Sequence, residues 1–175
     1  MNIVEQDIID HFNNSEDYIQ IVDRLTEKHT SVLDNIIRDI TKLLKQPDYT
    51  IDNQELESFY LKLSLELYNV VDKLKEFEIY SSLAKANESE TYNNAYLSES
   101  ISSDKKPAVA ELQIRAELKT KKESLVNTVY ASAFKNIKSK IEAGNSVLDT
   151  IKNVIKNRLS LEFNSNQNIN NRSNI

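Results

Sequence analysis

The chain has 175 residues with no cysteine, one glycine and two prolines. These counts exclude disulfides and thiolate metal sites and disfavour turn-rich β architectures. The formal net charge of −5 conceals an asymmetry, because residues 1–104 carry 9 Lys and Arg against 21 Asp and Glu, whereas residues 105–158 carry 12 against 5. An acidic N-terminal part and a basic C-terminal part indicate either ion pairs between the two parts or a basic surface that binds a polyanion.

Hydrophobic residues make up 39% of the chain, so we expect helices packed along narrow seams rather than around a thick core. No apolar run approaches the ~18 residues that a membrane helix needs, and the acidic start is unlike a signal peptide. Together with the lack of cysteine, this predicts an intracellular protein with no membrane partner.

Residues 1–50 are predicted to form an acidic N-terminal helical segment. A short helix over Met1–Phe12 is followed by Ser15, a suitable N-cap for a second helix that runs to about Lys45. Pro47 disfavours helix at the residue before it and predicts a turn.

Residues 51–163 are predicted to form a helical coiled-coil core. Asp52 and Glu55 match a capping box and open a helix that extends to about Ala86. Apolar residues in this helix, and again in the stretch 127–159, recur in alternating steps of four and three, the spacing of helices packed along a long seam. We interpret the two stretches as partners in an oligomer. The predicted seam residues are Leu63, Leu67, Val70, Leu74, Tyr130, Phe134, Ile137, Ile141, Gly144, Leu148, Ile151 and Ile155.

Gly144 is the only glycine and lies on the second seam. In a helix, glycine costs roughly 1 kcal/mol of stability relative to alanine, but its lack of a side chain lets another backbone approach closely. We therefore expect a second backbone to pack against it.

The apolar pattern lapses where serines and other polar residues predict a loop at about 87–107. Helix is expected to resume after Pro107, a residue suited to the first helical position, and to continue into the stretch 127–159. Residues 164–175 are rich in asparagine and are predicted to form a flexible tail.

No catalytic residue, metal site or cofactor is predicted. The two histidines, His11 and His29, lack the spacing of a metal-binding pair. His29 falls on the inner face of its helix, as a packed histidine would. One glycine cannot build a phosphate-binding loop. These observations favour a non-enzymatic protein.

Two groups of basic residues have different interpretations. Lys138, Lys140 and Lys152 flank the second seam, where we expect pairing with glutamates of the first seam helix. The basic residues before that seam form a candidate surface for nucleic-acid phosphates. Aromatic residues do not interleave with this group, and Tyr92 and Tyr96 are the nearest. The predicted nucleic-acid-binding residues are Lys85, Lys105, Lys106, Arg115, Lys119, Lys121 and Lys122.

The stretch 127–159 also resembles a known family. It starts with Val129-Tyr130 and leads without a gap through Phe134–Ile137 to Ile151–Arg158, which reads Ile-Lys-Asn-Val-Ile-Lys-Asn-Arg. In these segments the chain resembles the UvsY-type recombination mediators of tailed phages.

The resemblance implies a ring-forming helical oligomer that binds single-stranded DNA and helps to load a recombinase in the cytoplasm of the infected host cell. It places Lys85 at the basic helix end of the family, whereas Glu88 and Glu90 stand where the family tends to be basic. The expected partners are other copies of the chain, single-stranded DNA and the recombinase. The alternative is a virion or head–tail connector component, with other virion proteins as partners.

Overall fold

The computed structural model describes residues 15–46, 51–102 and 107–172 of the chain. This part contains four helices and no strand: α1 (Ser15–Leu44), α2 (Asn53–Ser102), α3 (Val109–Lys119) and α4 (Lys121–Arg172). The prediction of an all-α fold is therefore confirmed. The short helix predicted over Met1–Phe12 lies outside the described residues.

The chain divides into two compact units, and the three long helices contribute to both. The first unit comprises residues 1–29 and 72–138, with the start of α1, the end of α2, all of α3 and the start of α4. The second unit comprises residues 30–71 and 139–175, with the end of α1, the start of α2 and the rest of α4. Helix α1 therefore belongs to both units, although the sequence assigns it to the N-terminal segment.

The core of the first unit includes one face of α4. Val129 and Ile137 of this helix are fully buried. Phe77 of α2 is also buried, and its ring centroid lies 5.1 Å from that of His29 and 6.3 Å from that of Tyr130. Both contacts are edge-on, an arrangement that aromatic rings favour.

The core of the second unit contains aliphatic side chains from three helices. Leu33 and Ile40 of α1, Leu56 and Leu63 of α2, and Ile151 of α4 have no exposed surface. Burying one such side chain contributes roughly 1.5–3 kcal/mol. The alternating spacing in α2 thus marks a buried face, as the sequence predicts.

The two predicted seams are largely buried inside a single chain. The buried seam residues are Leu63, Leu67, Val70, Tyr130, Ile137, Ile141, Gly144 and Ile151. The partly exposed seam residues are Leu74, Phe134, Leu148 and Ile155. The buried members make their contacts within one chain, so an oligomer requires additional surface.

Gly144 has side chains as its nearest neighbours, so the prediction that a second backbone packs against it is wrong. A Cβ atom added there would lie 2.7 Å from Cδ2 of Leu67 and 3.4 Å from Cδ1 of Leu33. Non-bonded carbon atoms prefer about 3.5–4.0 Å. The glycine therefore makes room for two leucines from the other helices of its unit.

Residues at the start of α2 pack against α4. Asp52 is the N-cap as predicted: its Oδ1 accepts a hydrogen bond from the backbone N–H of Gln54 at 3.3 Å. Nη1 of Arg158 donates to the carbonyl oxygen of Ile51 at 2.8 Å and to Oδ1 of Asn53 at 3.0 Å. These bonds fix the position of α4 against the first turn of α2.

Helix α2 continues to Ser102, so the prediction of a loop at about 87–107 is wrong for residues 87–102. The inner face of this segment carries small and polar residues. Ala95 is buried, Glu88 accepts a hydrogen bond from α4, and Glu99 forms ion pairs with α3. Such tertiary contacts stabilise a helix whose apolar pattern has lapsed. Helix α4 likewise extends into the predicted tail, as far as Arg172.

The helix that follows Pro107 is interrupted at Thr120, although the sequence predicts continuity. Thr120 has φ −96° and ψ 4°, and its backbone N–H donates to the carbonyl oxygen of Ala116 at 3.0 Å. Its Oγ1 also donates to this oxygen, at 2.7 Å. The interruption separates α3 from α4.

Candidate nucleic-acid interface

An open cleft of about 1060 Å³ lies in the first unit. Its walls come from the start of α1, the end of α2 and the junction of α3 with α4. The lining residues are Tyr18, Glu88, Ser89, Tyr92, Asn93, Glu117, Thr120, Lys121, Lys122, Ser124, Leu125 and Thr128. The cleft thus combines two lysines, two glutamates, two tyrosines, several aliphatic hydroxyl groups and one side-chain amide.

Lys121 and Lys122 begin α4 and line the cleft. Both side chains are exposed, and neither forms an ion pair within the described part of the chain. Two ammonium groups that no carboxylate of the described residues pairs with are available to an anionic ligand.

Tyr92 provides an aromatic ring in the same cleft. Its ring is nearly parallel to that of Tyr96, with an interplanar angle of 25° and 6.4 Å between the centroids. The two residues are four apart on α2, so they lie on one face of the helix. Both are partly exposed.

Hydrogen bonds between helices hold the walls of the cleft. Nδ2 of Asn127 on α4 donates to Oε2 of Glu88 on α2 at 2.6 Å. The hydroxyl groups of Tyr18 on α1 and Ser132 on α4 lie 2.5 Å apart. The Tyr18 hydroxyl also donates to the carbonyl oxygen of Thr128 at 3.4 Å. These bonds position Tyr18 and Glu88 in the walls.

Glu99 gathers two of the predicted nucleic-acid-binding residues into an ion cluster. Its Oε1 lies 2.5 Å from Nζ of Lys119, and its Oε2 lies 3.1 Å from Nη1 of Arg115. Arg115 also contacts Glu111 at 2.6 Å. The hydrogen bonds from Lys119 and then Arg115 hold the pKa of Glu99 below its usual value. These two cations therefore hold α3 against α2.

The structure divides the predicted basic surface into three groups. Arg115 and Lys119 are paired with Glu99. Lys121 and Lys122 line the cleft, whereas Lys85 is exposed on α2, outside the cleft lining, with no ion pair among the described residues. Lys105 and Lys106 lie outside the described residues.

The predicted pairing of Lys140 with glutamates of the first seam helix is wrong. Its Nζ lies 2.7 Å from both carboxylate oxygens of Asp34 on α1. Lys138 and Lys152 are exposed and form no ion pair in the described part of the chain. Of these three lysines only Lys140 forms an ion pair among the described residues, and its partner lies on α1 rather than on the first seam helix.

Two residues that sequence reasoning assigned no binding role, Glu88 and Asn127, join α2 to α4 at the cleft. The sequence does carry a pattern that marks the inner face of α2 in this region. Its members recur in steps of four, three and four: Glu88, Tyr92, Ala95 and Glu99. A pattern of large apolar residues does not include this polar continuation of the repeat.

His29 is a packing residue in this structure. Its ring is partly buried against Phe77. Burial, assisted by the positive charges of Lys28 and Lys73, lowers the pKa of His29 below its usual value. Among the described residues, no cluster of three or more His, Cys, Asp or Glu is placed to hold a metal ion. No helix in this part of the chain is apolar over a length that could cross a membrane.

Comparison of the chain with family models, curated proteins and solved structures finds no match.

Proposed function

We propose that the chain is a non-enzymatic phage recombination mediator, a helical oligomer that binds single-stranded DNA and assists recombinase loading. The observation that carries the proposal is the pair Lys121 and Lys122, exposed at the cleft and without an ion pair in the described part of the chain. Unneutralised lysines are the side chains through which proteins contact phosphates without sequence preference. The resemblance of the stretch 127–159 to UvsY-type mediators supplies the biological role.

The proposed phosphate-binding surface is narrower than the basic region of the sequence. Phosphates must compete with Glu99 for Arg115 and Lys119, because these residues already make short ion pairs. Lys121 and Lys122 have no such competitor among the described residues. We therefore assign the main phosphate contacts to these two lysines, with Lys85 as a further contact of the same unit.

Self-association of the chain would bury an apolar row on α2. Leu61, Leu65 and Tyr68 are 68%, 66% and 67% exposed and are spaced four and three residues apart. They share one face of the helix. Exposed large apolar side chains in a row favour contact with another protein surface. This row, rather than the buried seams, is the surface that we propose for a second copy.

The DNA-binding proposal is tested by the salt dependence of binding. Fluorescence anisotropy of labelled oligothymidylate would be measured over a salt series for the parent and for Lys121→Gln/Lys122→Gln. On a single strand each neutralised phosphate contributes a slope of roughly −0.7 in log K against log salt, so the double variant should flatten the slope by up to about 1.4.

The matched control is Lys152→Gln/Lys156→Gln, which removes the same charge from exposed positions of α4 in the second unit. This control should leave the slope nearly unchanged. Equal flattening by both variants would contradict the assignment to Lys121 and Lys122. A parent protein that does not bind DNA near physiological salt would contradict the mediator function and favour the virion component, which mass spectrometry of purified particles would detect.

A further inference from the structure

We infer that the cleft of the first unit seats a base of single-stranded nucleic acid, with Tyr92 as the stacking residue and Lys121 and Lys122 as contacts to the neighbouring phosphates. This inference rests on the proposed function and goes beyond it, because phosphate binding alone requires neither the cleft nor the ring.

The position of Tyr92 supports a stacking role. It lines the cleft and is partly exposed, so its ring is accessible to a ligand. Tyr96 lies nearly parallel to it on the same helix face. A base that stacks on Tyr92 would extend this row of parallel rings. Base stacking on aromatic side chains tolerates any sequence, because every base has a π-face.

The charges of the cleft give a nucleotide one favourable orientation. At the junction of α3 with α4, two lysines, Lys121 and Lys122, line the cleft beside one glutamate, Glu117, so this side is net positive. On α2 the charged lining residue is Glu88, one helical turn from Tyr92. The carboxylate of Glu88 repels a phosphate, but it can accept a hydrogen bond from a base N–H group. The phosphate therefore belongs at the lysines of α4, and the base belongs at α2.

The cleft is also large enough. Ligand pockets commonly enclose about 300–1,000 Å³, and this cleft encloses about 1060 Å³. Its walls are joined by the bond from Asn127 to Glu88 and the contact between Tyr18 and Ser132. A nucleotide can thus enter a cleft whose walls are already fixed, which reduces the ordering that binding requires.

The experiment separates the contribution of the bases to affinity from the contribution of the phosphates. Two labelled oligonucleotides of equal length would be compared by anisotropy, one an oligothymidylate and the other an abasic strand with the same phosphates. Stacking of one base corresponds to about a 5- to 140-fold change in affinity. The full-length parent should therefore bind oligothymidylate tighter than the abasic strand by a factor in this range.

Three substitutions identify the residue responsible. Tyr92→Leu removes the ring and should abolish most of the preference for oligothymidylate, while leaving affinity for the abasic strand unchanged. Tyr92→Phe keeps the ring and should retain the preference. The matched control is Tyr60→Leu, at a partly exposed tyrosine of α2 that does not line the cleft, and it should behave as the parent does. Unchanged abasic binding shows that each variant is folded.

Three results would overturn the inference. If the parent binds both strands with equal affinity, the cleft does not bind a base, whereas the proposed phosphate binding is unaffected. If the parent prefers oligothymidylate and Tyr92→Leu retains that preference, the base contacts lie elsewhere. If the parent binds neither strand, the base-binding role of the cleft and the proposed function are both wrong.

Discussion

Replacing Gly144 with alanine tests how tightly the second unit is packed. The added Cβ would approach Cδ2 of Leu67 to 2.7 Å and Cδ1 of Leu33 to 3.4 Å. Alanine gains about 1 kcal/mol of helix propensity over glycine, whereas overpacking a core typically costs about 1–3 kcal/mol. Leu67 is buried, so its side chain has little free space to give way. We therefore expect a net destabilisation of about 1 kcal/mol.

The companion substitution is Leu67→Val, which removes a carbon atom from the crowded side chain. Alone it should destabilise the protein by about 0.5–1.5 kcal/mol, as the loss of a buried methylene usually does. In the double variant the new Cβ at position 144 can occupy the vacated space. The two effects should therefore fail to add, and the double variant should be more stable than their sum by about 1 kcal/mol.

Urea unfolding followed by circular dichroism measures all four members of this cycle. Asn145→Ala is the matched control, because this neighbour of Gly144 is exposed and gains helix propensity without entering the core. If Gly144→Ala stabilises the protein by the full ~1 kcal/mol of helix propensity and shows no coupling to Leu67→Val, the packing argument is wrong.

Two further predictions concern ion pairs. Lys119 and Arg115 lower the pKa of Glu99 in the folded protein. The Glu99 ion pairs therefore contribute stability above the unfolded pKa of Glu99, and this contribution is lost as the pH falls through the folded pKa. Glu99→Gln should lower the urea midpoint at neutral pH, whereas in acid the variant and the parent should have the same midpoint. Equal midpoints at neutral pH would contradict this. Lys140→Met should cost up to about 1 kcal/mol and less at high salt, because its pair with Asp34 is partly exposed. The control Lys138→Met breaks no described ion pair and should leave the urea midpoint unchanged. If both variants lose the same stability, the pair with Asp34 does not explain the effect of Lys140→Met.

Large apolar residues at regular spacing made most of the helical fold predictable. The spacing identified Leu63, Val70 and Ile137 as inner-face residues, and all three are buried. It failed over residues 87–102, because the inner face there carries Ala95 and polar side chains that are satisfied by other helices. It also failed at Thr120, whose ψ of 4° departs from helical values and separates α3 from α4.

The candidate site was predictable only in part. The sequence marked Lys121 and Lys122 as basic and named Tyr92 as a nearby ring, but it could not place them in one cleft. That placement depends on α1, α2 and the start of α4 meeting in space. Nor could charge counts show that Glu99 occupies Arg115 and Lys119. Pairing of this kind is set by the tertiary structure.

Photochemical crosslinking tests most directly the claim that single-stranded DNA binds in this cleft. An oligothymidylate that carries iodouracil would be irradiated with the full-length protein, and tryptic peptides would be identified by mass spectrometry. We predict a crosslink in the peptide 86–105, at Tyr92, that an excess of unlabelled oligothymidylate suppresses. Crosslinks confined to other peptides, or none under conditions where the DNA is bound, would contradict the claim.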